Sequence, residues 1–538
     1  GEKRIEATAD LRSVQVNYGV YSRAAEAKPR VRPDLHRALT LMHRLARVLA
    51  YVHSPGLVHR DLKPQNVLVR TADQPVLVDF GLVGHQAMTG REVLEVGGRA
   101  FGTLTYISPE QARGELVDAR ADLYSFGVML YEIVTGRPPF EGNGIMDLLN
   151  MHLNDRPAAP SLLVRDAPPV LEELILTLLE KRPAARLGYA EDVAKLLVDA
   201  GADPDDHLPV EAAPYLYRPE IVGRVETIKS VSELVRGTRA NNGAFVTLGG
   251  VSGIGKTSVA AVIAREAAMQ NIRVVAGECD PVGGAPLHPQ RTLLADIADH
   301  CRGRADAIER VIGPRLPVLR DLDPALTALD EHAEPLPPSV AARRLFSDLA
   351  ETLAAFAREQ ELLLVIDDLQ WADEVTLRFL SSLGAEFFDD LSLVILGTYR
   401  ADEAGPDLRA LLAHAHVMNV PLGRLDDASV GEVVCSMLAA ADAPSSFLQF
   451  LAAQTEGNPF FVAEYLRSAV AEKLLYRQSG RWHVAAADET YASLGLPGTI
   501  RDLVAHRLAR LSPLACRVAE AAAVLGRESE EELFLAVC

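Results

Sequence analysis

Residues 59–66 read HRDLKPQN, and this octet places a carboxylate, an ammonium and a carboxamide close together in one predicted loop. Phosphoryl transfer needs such groups, because a carboxylate must orient the incoming hydroxyl while the others balance charge and hold a metal ion. Two short predicted strands, 66–70 and 74–79, follow the octet and end in Asp79-Phe80-Gly81. The pattern indicates a loop and a hairpin that together build a site for phosphate chemistry.

Helical periodicity surrounds this loop. Residues 35–52 and 122–135 repeat apolar side chains at helical spacing, and a last helix is predicted over 191–200. Residues 1–35 show no apolar face and stay unassigned. The acidic, Pro-containing segment 201–219 is the predicted domain boundary.

The octet resembles the catalytic loop of protein kinases, in the form typical of Ser/Thr-specific members because of Lys63. The resemblance implies that Asp61 is the catalytic base and that Lys63 contacts the γ-phosphate of ATP. It also implies that Asn66 and Asp79 hold Mg²⁺, and that Phe80 is a packing residue.

Residues 102–110 read GTLTYISPE and resemble the end of a kinase activation segment. The resemblance implies that Thr103 lines the site of the substrate hydroxyl and that Glu110 forms a structural ion pair with Arg182. Arg60, directly before the catalytic Asp, implies control by phosphorylation of the activation segment. The candidate phosphorylation sites are Thr89 and Thr105.

The sequence contains no match for the N-terminal lobe of a kinase. No glycine-rich loop, strand lysine or helix glutamate occurs in residues 1–35, and these are too few for such a lobe. We therefore expect only a C-terminal lobe, over 36–200. Either the chain is a piece of a longer kinase, which the intact set of catalytic residues favours, or the lobe has been lost and a binding platform remains.

A second phosphate motif, GVSGIGKT, occupies residues 250–257 between a predicted strand and a predicted helix. Glycines let backbone N–H groups wrap phosphates at a helix N-terminus, a lysine adds positive charge, and a threonine hydroxyl can bind Mg²⁺. The predicted nucleotide-binding residues are Gly250, Gly253, Gly255, Lys256 and Thr257.

The buried strand 362–368, LLLVIDD, ends in two carboxylates. Asp367 is predicted to hold Mg²⁺ through water, and Asp368 to polarise the attacking water. Strands and helices alternate from residue 244 to residue 398, which predicts a mainly parallel sheet covered by helices.

The continuation LQWAD, residues 369–373, resembles the signal-transduction (STAND) ATPases of the AAA-like, origin-recognition-related class found in large bacterial regulators. Together the two halves resemble bacterial fusion kinases of the PknK-like type. The class implies contacts to the adenine, to the γ-phosphate and, from a helical lid, to the nucleotide. The resemblance places Val222, Gly223 and Arg224 near the adenine and Arg400 at the γ-phosphate. Pro459, within the triplet 457–459, would contact the nucleotide from the lid.

The expected fold is multidomain: a mainly α kinase C-lobe, then an α/β P-loop NTPase of the additional-strand (ASCE) type with a helical lid and the start of a winged-helix domain. The predicted parts are 1–35 unassigned, 36–200 kinase C-lobe, 201–217 linker, 218–405 ATPase core, 406–489 lid and 490–538 winged-helix or helical arm.

Composition limits the partners. With 54 Lys plus Arg against 73 Asp plus Glu, the formal charge is −19, and such a surface repels a phosphate backbone. Nucleic-acid binding is therefore not expected, and no apolar run is long enough for a membrane helix, so we expect a cytoplasmic protein. Five cysteines without C-x-x-C spacing give no zinc motif.

The leading hypothesis is a Ser/Thr protein kinase with a regulatory ATPase switch. Its expected cofactors are ATP and Mg²⁺, its substrate is a protein Ser or Thr, and self-association would run through the ATPase module. Two alternatives stay open: a kinase-inactive scaffold moved by ATP, and an ATP-dependent transcription regulator.

Overall fold

The computed structural model describes residues 34–70, 73–80, 84–85, 104–165, 167–204, 215–237, 242–279, 286–320, 322, 324–327, 338–440, 442–478, 480–485, 508 and 511–525. Residues 1–33 and most of the predicted winged-helix arm lie outside these ranges. Among the described residues, no helix has both the length and the apolar character to cross a lipid bilayer.

The first unit is built around two helices with apolar faces. Helix α1 begins at Leu35, where Asp34 accepts a hydrogen bond from the backbone N of His36 at 3.2 Å. The helix that contains Phe126 is buried along nearly its whole length and forms the centre of this unit. The helices of the unit are α1 Leu35–His53, α2 Pro109–Ala112, α3 Ala119–Thr135, α4 Ile145–Asn154, α5 Pro169–Leu178 and α6 Ala190–Asp199.

Four short strands lie beside α1: β1 Leu57–Val58, β2 Val67–Arg70, β3 Gln74–Leu77 and β4 Gly84–His85. Strands β2 and β3 pair in antiparallel fashion, with Val67 opposite Leu77. Strand β1 pairs with β4 in the same sense. The octet 59–66 thus lies between β1 and β2, where the two small sheets hold both of its ends.

The second unit contains a five-stranded sheet in which every neighbouring pair is parallel. The strands are β5 Ala244–Gly250, β6 Arg273–Glu278, β7 Leu362–Asp367, β8 Leu393–Arg400 and β9 Val417–Pro421, in the order β6-β7-β8-β5-β9. Strand β8 separates the P-loop strand β5 from β7, which ends in the paired carboxylates. The parallel sheet expected from the sequence is confirmed.

Both faces of this sheet are covered. Side chains that alternate along β5, such as Phe245 and Val246, enter two different apolar cores. The helices from residue 225 to residue 412 are α7 Val225–Gly237, α8 Lys256–Met269, α9 His288–Cys301, α10 Ala305–Ala307, α11 Leu316–Leu319, α12 Pro324–Thr327, α13 Pro338–Glu359, α14 Glu374–Ser382, α15 Ala385–Phe388 and α16 Pro406–Leu412.

A helical lid with its own apolar core follows the sheet. It consists of α17 Asp427–Leu438, α18 Ser445–Thr455 and α19 Pro459–Ala471, and then the hairpin of β10 Leu475–Gln478 and β11 Arg481–Val484. A further helix, α20, spans Pro513–Leu525.

The lid contacts the first unit through a group of aromatic residues that we call the tyrosine joint: Tyr189, Tyr215, Tyr217, Arg477 and Trp482. Tyr189 Oη and Trp482 Nε1 both donate to the carbonyl of Leu438, at 3.1 and 2.8 Å. The backbone N of Tyr217 donates to Met437 O at 2.8 Å.

Arg477 strengthens the joint. Its guanidinium lies 3.8 Å from the ring centroid of Tyr189 and pairs with Asp192 on α6. Gly188 of the first unit meets Ala439 of the lid, so that even a methyl group at position 188 would collide.

Candidate active sites

Asp122 on α3 anchors the octet from inside the first unit. Its Oδ2 accepts from His59 N at 2.8 Å, and its Oδ1 accepts from Arg60 N at 2.9 Å. Oδ2 also lies 2.8 Å from Nε2 of His53. These contacts hold Arg60 at a φ of 67°, a conformation that residues with a side chain seldom adopt.

Three predicted catalytic residues converge in the loop that Asp122 holds. Lys63 Nζ donates to Asp61 Oδ2 at 2.6 Å. Asn66 Nδ2 donates to the carbonyl of Asp61 at 2.8 Å and to its Oδ2 at 3.2 Å. The Asp61 carboxylate is thereby fixed between an ammonium and an amide, while its side chain stays 11% exposed and open to a substrate.

The hairpin brings Asp79 back towards Asn66. Val78 N donates to Asn66 O at 3.0 Å, and His59 Nε2 lies 3.0 Å from Val78 O. Asp79 has a φ of 66° and is exposed. Phe80 packs its ring edge-on against His59, with 5.1 Å between the ring centroids.

The donor set around Asp79 fits Mg²⁺. Because the Asn66 amide nitrogen donates to Asp61, its oxygen is the atom left to meet a cation. The Asp79 carboxylate is exposed nearby, and oxygen ligands of this kind are the ones Mg²⁺ prefers. Gly81 of the same triplet lies outside the described residues.

The predicted ion pair between Glu110 and Arg182 is wrong. Glu110 pairs with Arg186, at 2.6 Å from Nη1 to Oε1 and 2.7 Å from Nη2 to Oε2, and both side chains are buried. The turn Pro183–Ala185 separates the two arginines and leaves Arg182 exposed while Arg186 points inward. Glu110 thus does form a structural ion pair, but its partner is the arginine that follows this turn.

Helix α2 links the end of the activation segment to the catalytic loop. Ser108 caps this helix in a reciprocal pair with Gln111, and Gln111 Nε2 donates to Arg60 O at 2.6 Å. Thr105 lies in the 3₁₀ turn Leu104–Tyr106. The other candidate phosphorylation site, Thr89, lies outside the described residues, and so does Thr103, which was predicted to line the site of the substrate hydroxyl.

The P-loop residues of the second unit surround the ammonium group of Lys256. Gly253 and Gly255 have φ values of 77° and 98°, which a residue with a side chain would find strained. Lys256 Nζ donates to the carbonyls of Gly250 and Val251, both at 3.0 Å. The loop therefore folds round its own lysine.

The environment of Lys256 disfavours the charged form of its side chain. The residue is only 6% exposed, and burial, followed by the positive charge of Arg400, lowers its pKa to about 8. An anion at this point would relieve both effects.

Asp367, at the end of β7, meets the P-loop threonine. Thr257 Oγ1 lies 3.2 Å from both Asp367 carboxylate oxygens, and Thr398 Oγ1 also donates to Asp367. A hydroxyl and a buried carboxylate side by side are suitable ligands for Mg²⁺ next to a phosphate. The predicted pair of Thr257 and Asp367 is brought together.

Asp368, the next residue, lies at a left-handed φ of 58°. Its backbone N donates to Thr398 Oγ1 at 3.0 Å, and its Oδ1 accepts from Gln370 Nε2 at 2.9 Å. Arg400 Nε lies 3.9 Å from the same oxygen, and Arg400 Nη1 donates to Glu403 at 2.7 Å. Arg400 also stacks on a ring, with its guanidinium 4.5 Å from the Trp371 centroid.

The predicted adenine-side residues lie between the core and the lid. Val222 packs on the lid core, and Arg224 donates to the carbonyl of Gly423. Gly223 has a φ of 68°, and a Cβ there would lie 3.1 Å from Ser429 Oγ on α17. This segment therefore follows the lid closely.

The lid reaches the P-loop through the start of α19. Pro459 is the first residue of that helix, and Asn458 caps it by accepting from Phe460 N at 3.1 Å. The Asn458 amide Nδ2 donates to Ser252 O of the P-loop at 2.9 Å. The triplet 457–459 thus lies against the P-loop, and its contact with the nucleotide stays a prediction.

Several residues of the site were not singled out from the sequence. Gln370 is part of the motif 369–373, and Thr398 is part of a predicted strand. Only the structure shows that both contact residues at the ends of β7 and β8. The tyrosine joint gave no sequence signal, because its members are separated by up to about 300 residues in the chain. Among the described residues, no cluster of His, Cys, Asp or Glu forms a further metal site.

Comparison with known proteins gives two domain matches. Residues 18–197 match the protein kinase domain family, and residues 220–396 match the AAA ATPase domain family. The kinase match begins inside the segment that the sequence left unassigned.

The relatives are bacterial kinases. Serine/threonine-protein kinase PknB of Mycolicibacterium smegmatis is 37% identical over 179 residues, which is 30% of this chain and 28% of that protein. A probable serine/threonine-protein kinase of Streptomyces coelicolor is 39% identical over 160 residues, 29% of this chain and 23% of that protein. The chain spans only about a quarter of the length of the curated relatives it matches.

Proposed function

We propose that this chain, in which a protein kinase domain is joined to an AAA ATPase domain, transfers the γ-phosphate of ATP to Ser or Thr of a protein under control of the second ATP site. The observation that carries the kinase part is the convergence of Asp61, Lys63 and Asn66 within hydrogen-bond distance.

In the proposed reaction, Asp61 accepts a hydrogen bond from the substrate hydroxyl and aims it at the γ-phosphorus. Lys63, already 2.6 Å from Asp61, balances charge on the phosphoryl group as it moves. Asn66 and Asp79 would hold Mg²⁺, which neutralises the phosphate oxygens when it is bound. Positioning and charge then supply most of the rate enhancement.

The proposed preference for Ser and Thr rests on Lys63 and on the two relatives named above, which are described as serine/threonine-protein kinases. A hydroxyl on a short side chain has to come close to the loop to reach Asp61. The substrate class is therefore a Ser or Thr within a protein segment.

The proposed role of the second unit is a switch of the STAND type. Lys256, Thr257 and the glycines would bind the triphosphate, Asp367 would hold Mg²⁺, and Arg400 would sense the γ-phosphate. Asn458 ties the lid to the P-loop, and the tyrosine joint ties the lid to α6 of the kinase unit. A change at the P-loop thus has a continuous path of contacts to the kinase unit.

The kinase part is tested with the full-length protein by the transfer of labelled phosphate to acceptor proteins. We expect Asp61→Ala to lose at least about 100-fold in rate, because the hydroxyl is no longer oriented. Asp199→Ala, at the exposed end of α6, is the matched control and should retain the wild-type rate. Equal rates for Asp61→Ala and wild type would refute the kinase assignment.

The ATPase part is tested by nucleotide binding and hydrolysis. Lys256→Ala should weaken binding of a non-hydrolysable ATP analogue and abolish hydrolysis at the P-loop. Hydrolysis that survives this substitution would remove the assignment. Light scattering with and without the analogue tests the accompanying proposal that the ATPase module self-associates.

The joint also supports a second candidate, a kinase-inactive scaffold whose docking surface is moved by ATP. The scaffold would retain nucleotide binding at Lys256 while wild type and Asp61→Ala both transfer no phosphate. The two experiments above therefore separate the candidates.

A further inference from the structure

The side-chain amide of Gln370 joins the ends of two neighbouring strands at the ATP site. Its Nε2 donates to Asp368 Oδ1 at 2.9 Å, and its Oε1 accepts from the backbone N of Arg400 at 2.8 Å. Asp368 follows β7 and Arg400 ends β8. One side chain thus connects the carboxylate proposed to polarise water with the residue proposed to sense the γ-phosphate.

The direction of the amide is fixed by chemistry. A backbone N–H can only donate, so the atom of Gln370 that faces Arg400 N must be the oxygen. The amide nitrogen must then face Asp368, where it meets a carboxylate that can only accept. A glutamate at this position would keep the contact to Arg400 but would repel Asp368.

The turn that carries Gln370 is held from several sides. Trp371 N donates to Asp368 O at 2.9 Å and closes the 3₁₀ turn, while Leu369 is fully buried. Trp371 lies beneath the Arg400 guanidinium. The amide therefore has little freedom to leave its two partners.

We propose that Gln370 is a positioning residue for ATP hydrolysis, which holds the Asp368 carboxylate in the orientation from which it takes a proton. The inference rests on the proposed function of the P-loop. In the step concerned, water oxygen bonds to the γ-phosphorus, and the bond from that phosphorus to the bridging oxygen breaks. The electron pair leaves with ADP, and the proton of the water goes to Asp368.

The test compares variants of the full chain by turnover and by ATP affinity. Gln370→Leu should lower kcat about 10- to 100-fold, because the carboxylate is no longer held, with the Kd for ATP within about threefold of wild type. Gln370→Glu should lose at least as much in kcat. This variant keeps the size and the contact to Arg400, so it reports the link to Asp368 even if Gln370→Leu does not fold.

The control is Gln449→Leu, an exposed glutamine on α18, which should leave both kcat and Kd unchanged. A Gln370→Glu protein with wild-type kcat would overturn the inference. So would a wild-type chain that binds ATP without hydrolysing it, since no water would then need to be polarised.

The inference and the proposed function fail in different ways. If Lys256→Ala hydrolyses ATP normally, the P-loop assignment is lost. If Lys256→Ala is inactive while both Gln370 variants match wild type, only the role of Gln370 is lost.

Discussion

Lys256 is a buried cation, and its burial has a measurable consequence. Burial lowers its pKa to about 8, so above that pH the Lys256 side chain is mostly neutral before a nucleotide binds. A triphosphate raises the pKa again, so binding above pH 8 takes up a proton. We expect ATP affinity to fall as the pH rises through 8, by up to about tenfold per pH unit.

Calorimetry at about pH 7 and about pH 9 in two buffers measures both the affinity and the proton uptake. Lys256→Arg is the matched variant, because its guanidinium stays charged and the pH dependence should vanish. Equal affinities for wild type at both pH values would contradict the prediction.

Arg186 completes a buried ion pair that the chain cannot easily lose. Arg186→Ala would leave the Glu110 carboxylate buried without its charged partner, which costs about 3–5 kcal/mol of unfolding free energy. Arg182→Ala changes an exposed side chain and should cost no more than about 0.5 kcal/mol.

Urea unfolding of the two variants beside wild type measures the difference. Similar losses for both arginines would mean that the buried pair contributes no more than a surface charge.

The same pair shows what could be predicted at this scale. The motifs identified Asp61, Lys256 and Asp367 because their chemistry is local in sequence. They did not distinguish Arg182 from Arg186, since only the turn Pro183–Ala185 decides which of the two points inward.

At the scale of elements, the P-loop packs directly against the start of α19. Gly253 has a φ of 77°, and a Cβ there would lie 2.7 Å from Phe460 Cβ. Gly253→Ala should therefore push the lid from the loop and weaken ATP binding more than about tenfold, with about 1–2 kcal/mol of added backbone strain.

Gly431→Ala is the matched variant. It lies inside α17, and its Cβ would meet only Leu448 Cδ1 at 3.7 Å. A helix-interior Gly→Ala change should stabilise the chain by about 0.4–1 kcal/mol without affecting ATP binding. Isothermal titration calorimetry and thermal unfolding of both variants measure ATP binding and stability. If the lid and the loop moved independently, Gly253→Ala would bind ATP as well as Gly431→Ala does.

The sequence predicted elements well where a pattern was long. The strand predicted over 362–368 is β7, Leu362–Asp367, because it is a continuous apolar run between charged residues. Strand β9 and the β10–β11 hairpin were missed. Strand β9 is buried only at Val417 among its five residues, so its pattern does not stand out from a loop.

At the scale of the whole molecule, we expect the tyrosine joint to transmit ATP binding at the P-loop to the kinase unit. Arg477→Ala removes both the contact over Tyr189 and the ion pair to Asp192. We expect an ATP analogue to slow amide hydrogen exchange in α6 of wild type but not of this variant, while protection of the P-loop stays equal.

Arg481→Ala, an exposed arginine on the same hairpin, is the control and should behave as wild type. If the ATP analogue slowed amide exchange in α6 equally in all three proteins, the joint would hold the two units together without transmitting ATP binding.

No motif predicted this joint, because contacts between units depend on surfaces that fit only after each unit has folded. The domain families, by contrast, were predicted from two short stretches, and the comparisons confirm them.

The close meeting of Gly188 and Ala439 constrains how such proteins can be recombined. Any side chain at position 188 would collide with Ala439 and disturb the contact between the kinase half and the lid. A chimera that takes its kinase half from a related protein would therefore need a glycine at position 188 to preserve this junction.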